Sequence, residues 1–172
     1  MVKNNLQSKF DEKAKELEKV LPSMKGSRNC AELTLTSVLE VLGVDNYMFH
    51  NIAKPLAGGF GGYKSKTGWM GACGAVTGAC AAIGAIMGGK KLMDDQTMNL
   101  AYFKTRKYCS EFEGQFGSVV CSELCGYDLS KPENYLKYGE NKVWQKTCYS
   151  FVVWAVDTIR KLTQEELKEK WE

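Results

Sequence analysis

Apolar residues recur at helical spacing at the start of the chain. Leu6, Phe10, Leu17 and Leu21 lie at intervals of 4, 7 and 4 residues, with charged residues between them, and a proline follows. This spacing predicts an amphipathic helix within residues 1–24 that ends at the proline.

A second helix is predicted to begin after Asn29. The Asn29 side chain can cap the first turn, and Glu32 three residues later completes a capping box. Leucines and valines follow at helical spacing as far as Gly43, and glycine is typical of a helix end. Cys30 is thereby placed in the first turn.

The centre of the chain is rich in glycine and alanine. Residues 67–89 carry no charge and are long enough to span a bilayer. Because most of them are small, insertion is weakly favoured, and we expect no membrane insertion. Gly74, Gly78, Ala82 and Ala85 recur every three or four residues, a spacing that lets another backbone approach closely. The segment is predicted to be a buried central helix.

Further helical patterns occupy the second half of the chain. Asp94 or Asp95 can cap a helix that ends at 114–117. A short turn is predicted at 121–125, and apolar residues at helical spacing predict a last helix over 143–159.

No segment alternates strictly between apolar and polar residues, so the predicted class is all-α. We predict a single helical domain over residues 1–172, a bundle of five or six helices around the Gly/Ala-rich helix, with a charged tail at 157–172. With 44% hydrophobic residues in 172, the chain can bury a core of its own.

Charge argues against nucleic-acid binding. The 23 basic and 20 acidic residues are interspersed, and their sum is only +3. Because nucleic-acid-binding proteins concentrate basic residues in a patch or stripe, we expect neither DNA nor RNA among the partners.

Seven cysteines are the most unusual feature of the composition. The first residues have charges every few positions and lack the apolar run of a secretory signal. We therefore expect a cytoplasmic protein, in which thiols stay reduced and grouped cysteines bind metal or undergo redox chemistry.

Several common chemistries lack their residues. No phosphate-binding G-x-x-x-x-G-K-[ST] motif occurs in the glycine-rich segment, and the hydrolase motif G-x-S-x-G is absent. His50 is the single histidine, and we interpret it as a packed or capping residue. The C-x-x-C pairs typical of structural zinc are missing as well.

Cys73 is expected to be the most reactive thiol. It follows a glycine-rich entry at the start of the central helix, where backbone amides and the helix dipole favour a thiolate. Cys80 and Cys109 lie in mid-helix among apolar residues and are interpreted as packing residues.

The remaining four cysteines are ambiguous from spacing alone. Cys121 and Cys125 are one helical turn apart and would share a face, so they form a candidate ligand pair. Considered one at a time, Cys30 and Cys148 are interpreted as residues that only pack in the fold.

Together, these segments resemble the C-GCAxxG-C-C family of redox-active proteins over about residues 25–155. The resemblance rests on four segments in order: Asn29-Cys30-Ala31-Glu32, Gly71-Ala72-Cys73-Gly74-Ala75-Val76-Thr77-Gly78, Cys121-Ser122-Glu123-Leu124, and Cys148. It implies that Cys30, Cys73, Cys121 and Cys148 are the family cysteines, and that the other three are additional.

Related sequence in split-Soret cytochromes is associated with an iron–sulfur centre, so the resemblance implies such a centre here. Four cysteines suffice for a 2Fe–2S cluster, with Cys125 as a substitute ligand. C-x-x-C-H is absent, so no c-type haem is expected. The leading hypothesis is electron transfer to a redox partner protein that the sequence does not identify.

Two other hypotheses remain open. In the first, the protein is a metal-free thiol–disulfide oxidoreductase or redox sensor, in which Cys73 attacks and Cys30, Cys121 or Cys148 resolves. In the second, it is a structural helical interaction module. Whether the protein is an enzyme stays undecided.

The small-residue face of the central helix also raises the question of assembly. A face of Gly74, Gly78, Ala82 and Ala85 buries little area unless another helix comes very close. Either a second copy covers this face in a homodimer, or the terminal helices of the same chain do.

Overall fold

The computed structural model describes residues 6–23 and 28–172, and these residues form ten helices without a β-strand. The helices are α1 (Leu6–Val20), α2 (Cys30–Val41), α3 (Tyr47–Ala53), α4 (Gly58–Gly62), α5 (Gly74–Gly88), α6 (Asp95–Phe116), α7 (Cys121–Cys125), α8 (Pro132–Glu140), α9 (Tyr149–Leu162) and α10 (Gln164–Trp171). Short 3₁₀ turns occupy Leu21–Ser23 and Lys54–Leu56, and a π-helical turn occupies Trp144–Cys148.

The predicted all-α class is confirmed. The number of helices in the described residues exceeds the five or six predicted, because short helices occupy segments that pattern alone assigned to loops. α3, α4 and α8 have seven, five and nine residues, too few for a helical period to be recognised, and α8 buries none of its side chains. The longer predicted helices all occur with shifted ends.

The Gly/Ala-rich helix α5 occupies the centre of the fold. It packs most extensively against α2 and also contacts α6, α9 and α10. Ala75, Ala79, Ala82, Ile83 and Ile86 on α5 are fully buried. In the described part of the chain, no helix is long and apolar enough to cross a membrane.

Glycines bring the backbones of α2 and α5 into direct contact. A β-carbon added to Gly78 would lie 2.5 Å from Ala31 O, and one added to Gly74 would lie 2.9 Å from Ala31 N. Both distances are shorter than real Cβ contacts, so only glycine fits. α2 of the same chain therefore covers this part of the small-residue face, which is occupied neither by a second copy nor by the terminal helices. Whether the protein dimerises elsewhere stays a prediction.

The N-terminal helix buries the apolar residues that its spacing predicted, and it is shorter than the predicted span 1–24. Leu6, Phe10, Leu17 and Leu21 are all buried, and α1 packs against α9. Of the predicted span 1–24, residues 1–5 and 24 lie outside the described residues.

Aromatic side chains hold α6 and α9 together. Phe112 lies 5.8 Å from Phe151 and 5.5 Å from Trp154, and Phe116 lies 4.7 Å from Phe151, between ring centroids. These edge-on arrangements add about 0.5–1.5 kcal/mol per pair beyond the burial of the rings. The pairs form a second wall of the core beside α5.

The prediction that residues 157–172 form a charged tail is wrong, because this segment is helical and packs against the rest of the protein. α9 continues to Leu162 and α10 follows, with Leu167 only 1% exposed. Trp171 Nε1 donates to Ile86 O at 3.1 Å, and Lys170 Nζ donates to Met87 O at 2.5 Å. The tail thus satisfies carbonyls at the C-terminal end of α5.

Gly78→Ala is expected to destabilise the protein by about 1–3 kcal/mol, because the new methyl group would force α2 and α5 apart. Gly84→Ala in the same helix is the matched control, since a β-carbon there meets only Met93 Cε at 3.9 Å. It should be neutral, or stabilising by up to about 1 kcal/mol through helix propensity. Urea unfolding of both variants measures the difference. Equal stabilities would show that the close contact is not needed.

Candidate functional site

Five of the seven cysteines line one cavity of about 440 Å³. They come from separate parts of the chain: the start of α2, the start of α5, the two ends of α7, and the end of the π-helical turn. The five are Cys30, Cys73, Cys121, Cys125 and Cys148. We call them the cavity cysteines.

Cys30 is positioned by the cap of α2. The Asn29 side chain accepts a hydrogen bond from Glu32 N at 3.0 Å, as predicted. The reciprocal half of the predicted capping box is absent, because the buried Glu32 carboxylate lies 2.9 Å from His50 Nδ1 instead. His50 is accordingly a partner of Glu32. Across the helix contact, a β-carbon at Gly74 would lie 3.0 Å from Cys30 Cβ, so that glycine gives Cys30 its place beside the start of α5.

Cys73 and Cys121 are aligned by two backbone hydrogen bonds. Cys73 N donates to Val119 O at 2.8 Å, and Cys121 N donates to Gly71 O at 3.1 Å. These bonds flank an isolated antiparallel bridge between Ala72 and Val120. A short non-helical crossing therefore holds the starts of α5 and α7 side by side.

The glycine-rich segment before Cys73 forms a left-handed turn over the cavity. All five residues of α4 have positive φ, and Phe60 at +56° is the one that is not glycine. Glycine adopts this conformation freely, whereas a bulky residue is strained by it. A β-carbon at Gly71 would overlap the backbone of Gly59, and one at Gly59 would lie 3.3 Å from Cys121 Cβ. The turn can therefore lie directly against the cysteine-bearing segments.

Cys148 ends the π-helical turn that precedes α9. A π turn inserts one residue into the helical register, and such turns occur frequently at functional sites. Tyr138 of α8 places its hydroxyl 3.4 Å from Cys148 Sγ. The ring of Tyr138 in turn packs edge-on against Tyr127, at 6.3 Å between centroids. Cys148 is thus buried beside a phenol from the preceding helix, α8.

The ionisable side chains that line the cavity, other than thiols and phenols, are cationic. They are Arg28 and Lys54, at the α2 and α3 ends of the cavity. Arg28 Nη2 donates to Thr36 Oγ1 at 2.9 Å, which fixes its direction. Arg28 Nη2 also lies 3.6 Å from Glu40 Oε1, and Arg28 Nε lies 3.8 Å from Glu32 Oε1, so these carboxylates partly neutralise its charge. The remaining wall is largely apolar.

The expectation that Cys73 is the most acidic thiol is wrong for the metal-free protein. Burial raises its pKa from 9.0 to about 12, because the charged form loses its hydration. Backbone N–H groups of Ala75 and Val76 do lower the pKa, as the helix start predicts, but the Cys148 and Cys125 thiols raise it again. Burial therefore outweighs the helix start.

The other four cavity cysteines interact as two pairs. Interaction with the Cys148 thiol and burial raise the pKa of Cys30, and the interaction with Cys30 lowers the pKa of Cys148. Interaction with the Cys125 thiol and burial raise the pKa of Cys121, and the interaction with Cys121 lowers the pKa of Cys125 to about 7. Cys73 lies near both pairs.

Cys80 and Cys109 lie outside this cavity. α5 and α6 are in contact, interaction with the Cys109 thiol raises the pKa of Cys80, and both cysteines are partly exposed. Their mid-helix positions agree with the sequence prediction, but their pairing was not foreseen. Helical periodicity places a residue on a face and does not identify which face opposes it.

The sequence pattern identifies Cys125 through its spacing from Cys121, as one of a candidate ligand pair, but other residues of the site are not predicted from it. Arg28, Lys54 and Tyr138 carry no local signal, because only the tertiary packing brings them to the cavity. Across residues 6–23 and 28–172, no three His, Cys, Asp or Glu side chains are grouped so as to hold a metal ion.

One protein family matches most of the chain. Its model, described as "Putative redox-active protein (C_GCAxxG_C_C)", matches residues 28–162. All five cavity cysteines fall within this range. Neither a curated protein nor a solved structure matches the chain significantly.

In the reduced, metal-free protein, alkylation of Cys73 is expected to accelerate with pH up to at least about pH 10. Its raised pKa keeps the thiol mostly protonated over this range, whereas an ordinary thiol is half ionised at its pKa of about 8.5 and almost fully ionised by about pH 10. Cys109, whose pKa is lowered to about 7, is the internal control and should level off first. Rates follow from mass spectrometry of alkylated peptides. A Cys73 rate that has levelled off by about pH 10 would contradict the burial argument.

Proposed function

Because the chain belongs to the C_GCAxxG_C_C family of redox-active proteins, we propose that it binds an iron–sulfur cluster through Cys30, Cys73, Cys121 and Cys148 and transfers electrons. A 2Fe–2S cluster is the simplest form that four cysteines can hold. The partner would be another redox protein.

The observation that carries this proposal is the convergence of the four family cysteines on one cavity. They lie far apart in the chain, and no regular helix would bring them together by spacing alone. A protein that needed these cysteines only for packing would have no reason to gather them around open space. In a 2Fe–2S cluster the four thiolates are shared between two irons, so the ligands need not meet at one point.

The electrostatics of the metal-free cavity also favour a bound cation. The pKa values of Cys30 and Cys121 are raised by a neighbouring thiol, by burial and by repulsion from the other cavity thiols when these are ionised. Metal binding removes the protons and offsets this repulsion. Lys54 would offset part of the remaining negative charge of a thiolate-bound cluster, whereas Arg28 is already paired with Glu40. The donor set and its surroundings therefore fit an anionic, sulfur-bound group.

Each residue of the site has a definable task toward such a group. The amides of Ala75 and Val76 at the start of α5 lower the pKa of Cys73 and so favour negative charge on its sulfur, and Tyr138 can donate to the sulfur of Cys148. Hydrogen bonds to ligand sulfurs stabilise negative charge and raise a reduction potential. When bound, the cluster would supply one-electron redox chemistry. α4 and the apolar wall would exclude water from it.

Thiol–disulfide exchange without metal is a second candidate. The observation in its favour is that all five thiols line one cavity, where Cys30 and Cys148, and Cys121 and Cys125, shift one another's pKa. In this version Cys125 is the better nucleophile, because the hydrogen bond from Cys121 lowers its pKa to about 7. Cys73 is too weakly acidic for that role.

Anaerobic purification followed by iron and acid-labile sulfide analysis decides between the two. The cluster proposal expects a coloured protein with about two irons and two sulfides per chain, as a 2Fe–2S centre requires. A colourless protein without iron or sulfide, after attempted reconstitution, would reject the cluster. Reversible loss of two thiols in that colourless protein would then favour thiol–disulfide exchange.

Cys73→Ser is expected to lose the visible chromophore and most of the bound iron, because it removes one of the four ligands. Cys80→Ser is the matched control, since it lies two turns along the same helix and outside the cavity, and its iron content should be unchanged. Cys125→Ser should retain the chromophore if Cys125 is not a ligand. Circular dichroism checks that all three variants are folded. Equal iron loss in Cys73→Ser and Cys80→Ser would refute the ligand assignment.

A further inference from the structure

A turn beside the cavity presents three aromatic side chains to solvent. Phe60, Tyr63 and Trp69 are 40%, 52% and 50% exposed. The ring centroid of Trp69 lies 6.3 Å from that of Phe60 and 6.1 Å from that of Tyr63. None of the three rings belongs to the hydrophobic core or to the side chains packed on it. We call these three residues the aromatic patch, a contiguous apolar surface of the kind that marks interaction sites.

Backbone hydrogen bonds hold the aromatic patch in place. Ser65 N donates to Trp69 O at 2.7 Å, and Trp69 N donates to Ser65 Oγ at 2.8 Å. At the base of the turn, Gly71 N donates to Tyr63 O at 3.2 Å. A surface that is already ordered loses little conformational freedom when a partner binds. The patch is therefore suited to binding without rearrangement.

Phe60 is held in a strained conformation that keeps its ring at the surface. Its φ is +56°, within a turn whose other four residues are glycine. Glycine would adopt this conformation without strain, and the Phe60 ring adds nothing to the core that would offset the cost. Strain of this kind is concentrated at functional sites. It points to a use for the ring outside the folded chain.

The aromatic patch adjoins the mouth of the cysteine cavity. Gly61 and Gly62, which connect Phe60 to Tyr63, both line the cavity. Tyr135 of α8 lines it as well and is 65% exposed, so the cavity reaches solvent at this rim. A molecule that rests on the patch therefore lies next to the entrance of the cavity.

The charge of this segment is positive. No Asp or Glu occurs between residues 46 and 93, whereas Lys54, Lys64 and Lys66 flank the aromatic residues in the chain. Lys64 Nζ lies 3.4 Å from Asp128 Oδ2. Within the described part of the chain, Lys54 and Lys66 form no ion pair. Two unpaired cations beside an apolar centre complement an acidic surface.

We propose that the aromatic patch and its flanking lysines are the docking surface for an acidic electron-carrier protein. This inference rests on the proposed function, since a cluster in the cavity needs a partner that approaches its mouth. Tryptophan and tyrosine supply much of the binding energy of protein interfaces, and charged residues around them steer the partner. Three rings make a small contact, and transient complexes between redox proteins bury less surface than stable ones.

Isothermal titration calorimetry with two acidic electron carriers, a plant-type ferredoxin and a flavodoxin, tests the docking surface. We expect at least one of them to bind, and a basic c-type cytochrome not to bind. Added salt should weaken the complex, because it screens exposed charges. Iron is measured in the same samples, so binding by iron-free protein would support the docking surface and reject only the cluster.

Trp69→Ala and Phe60→Gly should each raise the Kd at least about tenfold, as the loss of a central aromatic residue does. Phe60→Gly also removes the strain of the positive φ, so unfolding would not explain its weaker binding. Lys66→Glu should weaken the complex and reduce its salt dependence.

Tyr102→Ala and Lys168→Glu are the matched controls and should bind as the unaltered protein does. Tyr102 is a 65% exposed aromatic residue of α6 outside the patch. Lys168 is exposed on α10, which packs at the end of α5 opposite the cavity. Circular dichroism checks that every variant is folded.

Four results would overturn the proposal. One is that neither acidic carrier binds, and another is that the patch variants bind as tightly as the controls. A third is that the cytochrome binds as tightly as the acidic carriers. The fourth is binding to vesicles of phosphatidylserine and phosphatidylcholine that Trp69→Ala abolishes, since aromatic residues beside lysines also suit an anionic lipid surface.

Discussion

The contact between the backbones of α2 and α5 is the constraint on which the rest of the structure depends. Gly74 and Gly78 leave no room for a β-carbon against Ala31, so the two helices meet at the closest separation that the chain allows. Cys30 and Cys73 lie at the N-terminal ends of these helices. Their proximity is therefore set by backbone contact, which is stiffer than a contact between flexible side chains.

Close backbone contact at glycines also occurs on the other side of the cavity. Gly59 and Gly71 touch backbone to backbone, and Gly59 also lies against Cys121. The left-handed turn of α4 requires its glycines, and Phe60 accepts the strain of a positive φ within it. Glycine is thus concentrated where cysteine-bearing segments must approach one another. In this protein it serves close approach more than flexibility.

Local signals in the sequence predicted the helices better than the site. The caps at Asn29 and Asp94 and the apolar face of α1 depend on residues within one or two turns of each other, and the structure contains all three. The packing of the C-terminal segment escaped prediction because most of its residues are charged, and only Leu167 and Trp171 reveal that it docks. For the site, the resemblance to the family identified four cysteines that meet at the cavity. Cys125 and Tyr138 reach it through the loop and helix packing around α7 and α8, which no periodicity encodes.

The two groups of thiols differ in what their surroundings allow. Within the cavity, burial and mutual repulsion hold Cys30, Cys73 and Cys121 in the neutral form. Such thiols are poor nucleophiles, but they become good ligands once a metal takes the place of their protons. At the surface, Cys109 is stabilised as a thiolate by a single neighbour and remains accessible. One α-helix, α5, therefore carries Cys73 in the buried cavity and Cys80, two turns later, in a partly exposed position outside it.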